Sequence, residues 1–356
     1  MIYIANPEME DGEKDAVIDV LDSGMIADGD IVRSFESEFA TYCGVEHGVA
    51  TSNGTTALHT ALEALSIGEG DRVLTTPVSF VATANAIRMA GAEPVFADID
   101  PETYNLDPEA AAVAAREHDV DAIMTVHLYG LPSDLDPLVE LADELDVPLI
   151  EDAAQAHGAE YKGTRVGSFG DVACFSFYPT KNMTTGEGGM VVTDREDIAE
   201  RARRYTNHGR TDKYEHAEVG QNYRMTNIAA AIGREQLEKL PAFIEARRAH
   251  AARFSDALVD TPVETPHEPD GRKHSYHQYT VRADTRDDLN DYLADNGVGA
   301  AVYYPLCIHN QPAYDDVGCH APVAEQAATS VLSLPVHPGL SGSDVDHIIE
   351  VMQNYE

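Results

Sequence analysis

Bases are scarce in this chain. Its 356 residues include 24 lysines and arginines against 62 acids, a formal net charge of −38. Only six of the bases are lysines: Lys14, Lys162, Lys181, Lys213, Lys239 and Lys273. The acids are spread along the chain, a coat that keeps a protein hydrated at the cost of self-repulsion. Molar salt relieves that repulsion, because the Debye length falls to ~3 Å at 1 M. A halophilic source is therefore expected. There is no basic stripe to follow a phosphate backbone, which argues against nucleic-acid binding. No apolar run reaches the ~18 residues of a membrane span. The opening "MIYIANPEMEDGEKD" lacks the basic start and apolar stretch of a secretion signal. The four cysteines (Cys43, Cys174, Cys307, Cys319) show no CxxC spacing. They read as reduced thiols, and a cytoplasmic location is expected. Fifteen histidines form neither HExxH nor a Cys/His cluster, so no metal is expected.

What is present is ample material for a globular core. An apolar share of 43% is ordinary, and the length favours two lobes over one. From "VLTT" (73–76) onward, short apolar runs alternate with helical patterns: "FVATANAIRMAG", "PVFADID", "AIMTV", "DLDPLVELADELDV", "PLIEDAA". That rhythm predicts an α/β fold with a mostly parallel sheet flanked by helices. Ligands in such sheets bind at the carboxyl ends of the strands. Further on, "NIAAAIGREQLEKL" predicts a helix that ends or kinks at Pro241, with a second long helix over 242–259 linking the lobes. A large domain over 1–240 and a smaller C-terminal α+β domain over 241–356 are expected. The latter would contain strands at "SYHQYTVRA" and "VGAAVYY".

Four places carry chemistry. "TSNGTTALHTALEAL" (51–65) sets Gly54 and Thr55 at a helix start, which suits an anion and equally suits an ordinary N-cap. "PLIEDAAQAHGA" ends a buried strand at Asp152, where a carboxylate calls for a positive partner such as a pyridinium nitrogen. Gln155 follows, able to donate to a phenolic oxygen; a helix cap with a surface glutamine reads the same way. "SFYPTKNMTTGEGG" places Lys181 after an apolar, aromatic run. A desolvated lysine there becomes a nucleophilic amine, suited to an imine with pyridoxal phosphate, whereas most lysines are simply surface charge. Phe80, in "SFVATANA", could stack on a flat ring or belong to the core.

In this order, "FESEFATYCGV", "SNGTTALHTAL", "FVATANAI", "VHLYGLPSDLDPL", "EDAAQAHGAEYKG", "SFYPTKN", "TTGEGGMVVT", "GQNYRMTNIAAAIGREQL" and "HNQPAY" resemble the DegT/DnrJ/EryC1/StrS family of nucleotide-sugar aminotransferases, which have the fold-type I architecture of aspartate aminotransferase. The resemblance implies pyridoxal 5′-phosphate as cofactor, with Lys181 as its covalent anchor and Asp152 on its ring nitrogen. It implies Gln155 on the ring hydroxyl, Phe80 stacked on the ring, and Gly54, Thr55 and Ser176 on the phosphate. Asn222 would reach that phosphate from a neighbouring subunit, so a homodimer with shared sites is implied. Tyr304 and His309, in "VYYPLCIHNQPAY", match the stretch that closes on substrate.

Two other motifs are set aside. "GEGGMV" precedes its strand instead of leading one into a helix, so it is no dinucleotide fingerprint. "VGSFG" lacks the first glycine of a nucleophile elbow. Amino-acid aminotransferases are the serious rival, but residues 287–356 hold neither lysine nor arginine to grip a substrate carboxylate. The reaction implied is transfer of nitrogen from a donor, L-glutamate by family analogy, to a nucleotide-linked keto-sugar for surface polysaccharide or glycan synthesis. A non-catalytic regulator keeping the same fold is the alternative of a different class.

Overall fold

The computed structural model describes residues 1–355. Seven strands make the central sheet: β1 (His47–Thr51), β2 (Arg72–Thr75), β3 (Glu93–Phe96), β4 (Ala122–Val126), β5 (Leu149–Asp152), β6 (Val172–Ser176) and β7 (Gly189–Thr193). Their spatial order is β1-β7-β6-β5-β4-β2-β3. The pairs from β3 through β6 are parallel, and β7 runs antiparallel to both β6 and β1. The sheet is thus mostly parallel, with an antiparallel edge that the apolar pattern alone did not reveal.

Helices cover both faces: α1 (Asp11–Ser23), α2 (Asp30–Cys43), α3 (Gly54–Ala64), α4 (Ala82–Met89), α5 (Pro108–His118), α6 (Leu135–Leu145), α7 (Glu196–Tyr205) and the first half of α8 (Asn227–Leu258). Side chains alternate across a strand, and the cores divide accordingly. Phe175, Met190 and Val192 join Phe35 and Phe39 of α2 and Leu240 of α8. Their chain neighbours Cys174 and Val191 join Leu58 and Leu62 of α3 on the other face. β4 and β6 are buried at every residue, so both sides of the sheet need apolar side chains and the strands read as unbroken apolar runs.

A second core gathers Phe254 and Leu258 of α8 with the antiparallel pair β8 (Tyr279–Arg282) and β9 (Val331–Leu334). It also takes in α9 (Arg286–Asp295) and α11 (Gly342–Gln353), while α10 (Pro322–Ser330) leans on the first domain. One expectation is narrowed and one corrected here: of the end or kink expected at Pro241, the end is not found. Helix α8 does not end at Pro241; it runs through it for 32 residues, because burial of Leu240, Phe243 and Ile244 on either side outweighs one lost backbone bond. Residues 298–304 form no strand. Only isolated bridges, Ile2 with Val298 and Ala301 with Ser333, hold them before they turn into a cavity wall. No described helix is long and apolar enough to cross a membrane.

Candidate active site

A cavity of about 910 Å³ opens at the carboxyl ends of β5 and β6. Its floor is built from strand termini. Asp152 is the last residue of β5 and Ser176 the last of β6, and both line the cavity.

Asp152 is almost fully buried. Thr83 Oγ1 donates to one carboxylate oxygen at 2.8 Å, and the Ala154 N–H donates to the other at 3.2 Å. Burial nevertheless raises its pKa above the ordinary aspartate value, against those bonds and the charge of Lys181. The carboxylate is short of positive charge and will hold a nearby proton.

Lys181 sits on the same cavity wall, in the loop after β6. Its amine has no hydrogen-bond or ion-pair partner among the described residues. Burial lowers its pKa from 10.5 to about 8, with only Asp152 pulling the other way. A large share of this lysine is therefore the neutral, nucleophilic amine near pH 8.

Helix α3 opens into the cavity at its N-terminus. Asn53 caps it: its side chain accepts from the Thr56 N–H at 2.9 Å, and Thr56 Oγ1 accepts from the Asn53 N–H at 3.1 Å. That reciprocal cap leaves the N–H groups of Gly54 and Thr55 without helical partners, at the positive end of the helix. A side chain at Gly54 would place its Cβ 2.6 Å from Ser176 Cβ. The glycine is thus what lets the helix start and the β6 terminus close into one cradle.

Gln155 is orientated by the backbone. Its side-chain oxygen accepts from the Tyr129 N–H at 2.8 Å, so its amide nitrogen is the end that donates, here to Tyr304 Oη at 3.2 Å. Phe80 lines the cavity with its ring 57% exposed, 6.3 Å from the Tyr304 ring.

The structure brings Gly54, Thr55, Phe80, Asp152, Gln155, Ser176, Lys181 and Tyr304 to one cavity. Asn222 is exposed and lies outside that lining. His309 is also outside it: the Ile308 N–H donates to the Pro77 carbonyl at 2.8 Å, and His309 turns to Glu325 of α10, 3.1 Å away. Thr83, Tyr178, Glu187, His277 and Tyr303 line the cavity without having been foreseen. The "HQ" of "SYHQYTVRA" was the available hint for His277. Thr83 offered none, since its partner lies 69 residues away.

The donor set fits pyridoxal 5′-phosphate: a partnerless amine for its aldehyde, an under-neutralised carboxylate for its ring nitrogen, an oriented amide for its hydroxyl, and a glycine-floored helix start for its phosphate.

Comparison with known proteins agrees. Residues 7–353 match the DegT/DnrJ/EryC1/StrS aminotransferase family. The chain is 41% identical to a pleiotropic regulatory protein of Geobacillus stearothermophilus, over 95% of this chain and 92% of the relative. It is 39% identical to the GDP-perosamine synthase of Caulobacter vibrioides, over 99% and 97%. The crystal structure of S. venezuelae DesV, solved in complex with a ketimine intermediate, superimposes with a TM-score of 0.93 at 38% identity, covering 96% of this chain and 93% of that one.

Proposed function

The chain belongs to the DegT/DnrJ/EryC1/StrS aminotransferase family, whose enzymes depend on pyridoxal 5′-phosphate, and we propose that it transfers nitrogen from L-glutamate to a nucleotide-linked keto-sugar. The observation that carries this reading is the pairing, in one cavity, of a partnerless Lys181 amine with the buried, under-neutralised Asp152.

Bound there, the cofactor supplies a sink for the electrons of a carbanion. The chain's own residues do the rest. Lys181 would anchor the cofactor, and its neutral amine would serve as the base for the proton on the donor's α-carbon and, in the second half-reaction, as the acid towards the sugar carbon. Asp152 keeps the proton on the ring nitrogen, which its raised affinity for positive charge favours. Gln155 would hold the ring oxygen, Phe80 would cover the ring, and Gly54, Thr55 and Ser176 would hold the phosphate. Donor and acceptor use the site in turn, a ping-pong order.

No arginine lines the cavity among the described residues. Hydroxyl and amide groups dominate its polar lining, which suits a sugar better than a second carboxylic acid. The Geobacillus relative carries a regulatory name; the intact amine, ring acid and phosphate cradle of this chain favour catalysis.

A second copy completes the site in this reading. Phe80 and Tyr178 are 57% and 48% exposed beside the cavity, and Asn222 is turned away from its own site. A two-fold dimer would cover the first two and bring the partner copy's Asn222 to the phosphate. We place the enzyme in the cytoplasm of a halophile, serving surface polysaccharide or glycan synthesis.

The test is a spectrum followed by an assay. The visible band of the bound cofactor should vanish in Lys181→Ala. L-glutamate should bleach it in the wild type, and a nucleotide keto-sugar should restore it with formation of the amino-sugar. Restoration by 2-oxo acids generally would favour an amino-acid aminotransferase. Failure to bind the cofactor at all would favour a regulator.

A further inference from the structure

An amino-acid donor brings a carboxylate to a cavity whose one lining cation is Lys181, the residue that must react. Something else has to receive that carboxylate, and the segment Ser275–Gln278 is built for presentation. The Ser275 N–H donates to the Gly130 carbonyl at 2.9 Å and the Gln278 N–H to the Tyr129 carbonyl at 3.1 Å. Asn182, next to Lys181, donates its amide to the Ser275 carbonyl at 3.1 Å. Arg247 of α8 donates Nη1 to the carbonyls of Tyr276 (3.0 Å) and His277 (3.3 Å).

The backbone is also held in a costly shape. Tyr276 has a φ of +45°, a left-handed conformation that non-glycine residues rarely adopt and that collects at functional sites. Gly130 must be glycine for the approach, since a Cβ there would lie 2.6 Å from Ser275 Oγ and 2.8 Å from the His277 nitrogen.

At the centre of this clamp His277 lines the cavity beside Lys181 and Gln155, nine-tenths buried, and its Nδ1 is sealed in without a partner. The charged groups that bear on it most are the cations Lys181 and Arg247. Together with burial they hold the imidazole neutral, well below its usual pKa. Lys181 and Arg247 favour an anion beside this imidazole, within a cavity whose lining acids are Asp152 and Glu187. Arg247 does not line this cavity: its Nη1 is engaged by the two carbonyls, and the guanidinium, whose Nε has no partner, borders a neighbouring space of about 20 Å³ on the other side of Lys181.

We propose that His277 donates its Nε2–H to the α-carboxylate of the amino donor, in place of the arginine that the cavity lacks. The carboxylate is bonded to the same carbon as the reacting nitrogen, so it must lie next to Lys181, where His277 stands. The assignment rests on the reading of the chain as an aminotransferase that uses an α-amino acid.

The test compares wild type, His277→Ala, His277→Gln and His277→Leu, the last filling the space without a donor should the alanine variant not fold. L-glutamate is titrated by the cofactor's absorbance, and glutarate, a dicarboxylate with no amine, by calorimetry. The alanine and leucine variants should bind both on the order of 10- to 100-fold more weakly, the scale for a hydrogen bond to a charged group. His277→Gln, which keeps an N–H donor, should recover part of the loss, while the KM for the keto-sugar stays unchanged. Unchanged affinity for glutamate and glutarate in a folded variant lacking the donor overturns the proposal. So does equal weakening towards the donor and the keto-sugar, or a wild type that binds neither dicarboxylate. A wild type that takes nitrogen from glutamate but gives it to no keto-sugar sinks the proposed function and leaves His277 standing.

Discussion

Glu151 and Asp152 are consecutive on β5, yet the pleat turns them to opposite sides of the sheet and into opposite electrostatic situations. Glu151 is fully buried and saturated: the N–H groups of Gly167, Phe169 and Gly170 donate to it at 2.8–2.9 Å, and His127 Nε2 lies 2.9 Å away. Asp152 has two donors and an unmet demand for positive charge. One carboxylate holds the architecture; the other waits for a ligand.

Replacing Asp152 with Asn should therefore separate stability from activity. The folded-state pKa of Asp152 is raised, so above it the ionised carboxylate destabilises the fold. Removing that charge should raise the melting temperature of the cofactor-free protein at neutral pH. Transamination should fall by about 100-fold or more, the scale of a lost preorganised electrostatic contact. A cofactor-free variant that melts below wild type would contradict the assignment.

Glu151→Gln should do the reverse. Burial alone would raise Glu151, but His127 and the backbone N–H groups outweigh it and hold the pKa below 4.5. A depressed carboxylate contributes stability that is present above the unfolded-state value and lost as pH falls through the folded one. Gln at this position should cost about 2–4 kcal/mol at pH 7, as for a buried charge network deprived of its acceptor. It should also flatten the stability loss below pH 4.5. Urea titrations at several pH values read both effects.

Covalent capture of pyridoxal phosphate by the cofactor-free protein should rise with pH and reach half its maximum near pH 8. The neutral amine is the nucleophile, and burial brings Lys181 from 10.5 to about 8. Borohydride trapping followed by peptide mapping measures the rate at this residue. A midpoint near 10.5 would show that Lys181 is solvated.

Gly54→Ala should keep the fold and lose the cofactor. The added Cβ falls 2.6 Å from Ser176 Cβ and 3.0 Å from its hydroxyl. The helix start and Ser176 would have to separate. A drop in cofactor affinity on the order of 10- to 100-fold is expected, the scale of one or two lost charge-assisted bonds. Equilibrium dialysis against the cofactor gives the value, and circular dichroism checks the fold.

Raising KCl from 0.1 M to molar levels should raise both solubility and melting temperature. With a net charge of −38, self-repulsion is long-ranged in dilute buffer and falls within ~3 Å at 1 M salt. A melting temperature indifferent to salt would remove the halophilic reading.

Much of the first domain was legible because its order repeats a local rule. Apolar runs such as "AIMTV" and "VACFS" are strands buried on both faces, and the helical segments between them show their period. Lys181, Asp152 and Gly54 were visible because each breaks the composition around it. What escaped depends on distance along the chain. The Thr83–Asp152 bond and the approach of Gly130 to His277 are products of topology. The passage of α8 through Pro241 reflects burial outweighing propensity. The contact of His309 with Glu325 was likewise out of reach, because a matching word says nothing about which way a short turn faces.

The continuous α8 places residue 240 inside a helix that serves both cores. Its 32 residues span about 48 Å at 1.5 Å per residue, with Leu240 and Ile244 in the first core and Phe254 and Leu258 in the second. On the way it carries Arg247, whose guanidinium fastens the His277 segment. A cut at 240 would strip the first core of Ile244 and break α8 between the two cores, so the 1–240 fragment should be the less stable for it. The rod also ties the helix start near Asn222, at the expected dimer face, to the backbone that shapes the catalytic cavity.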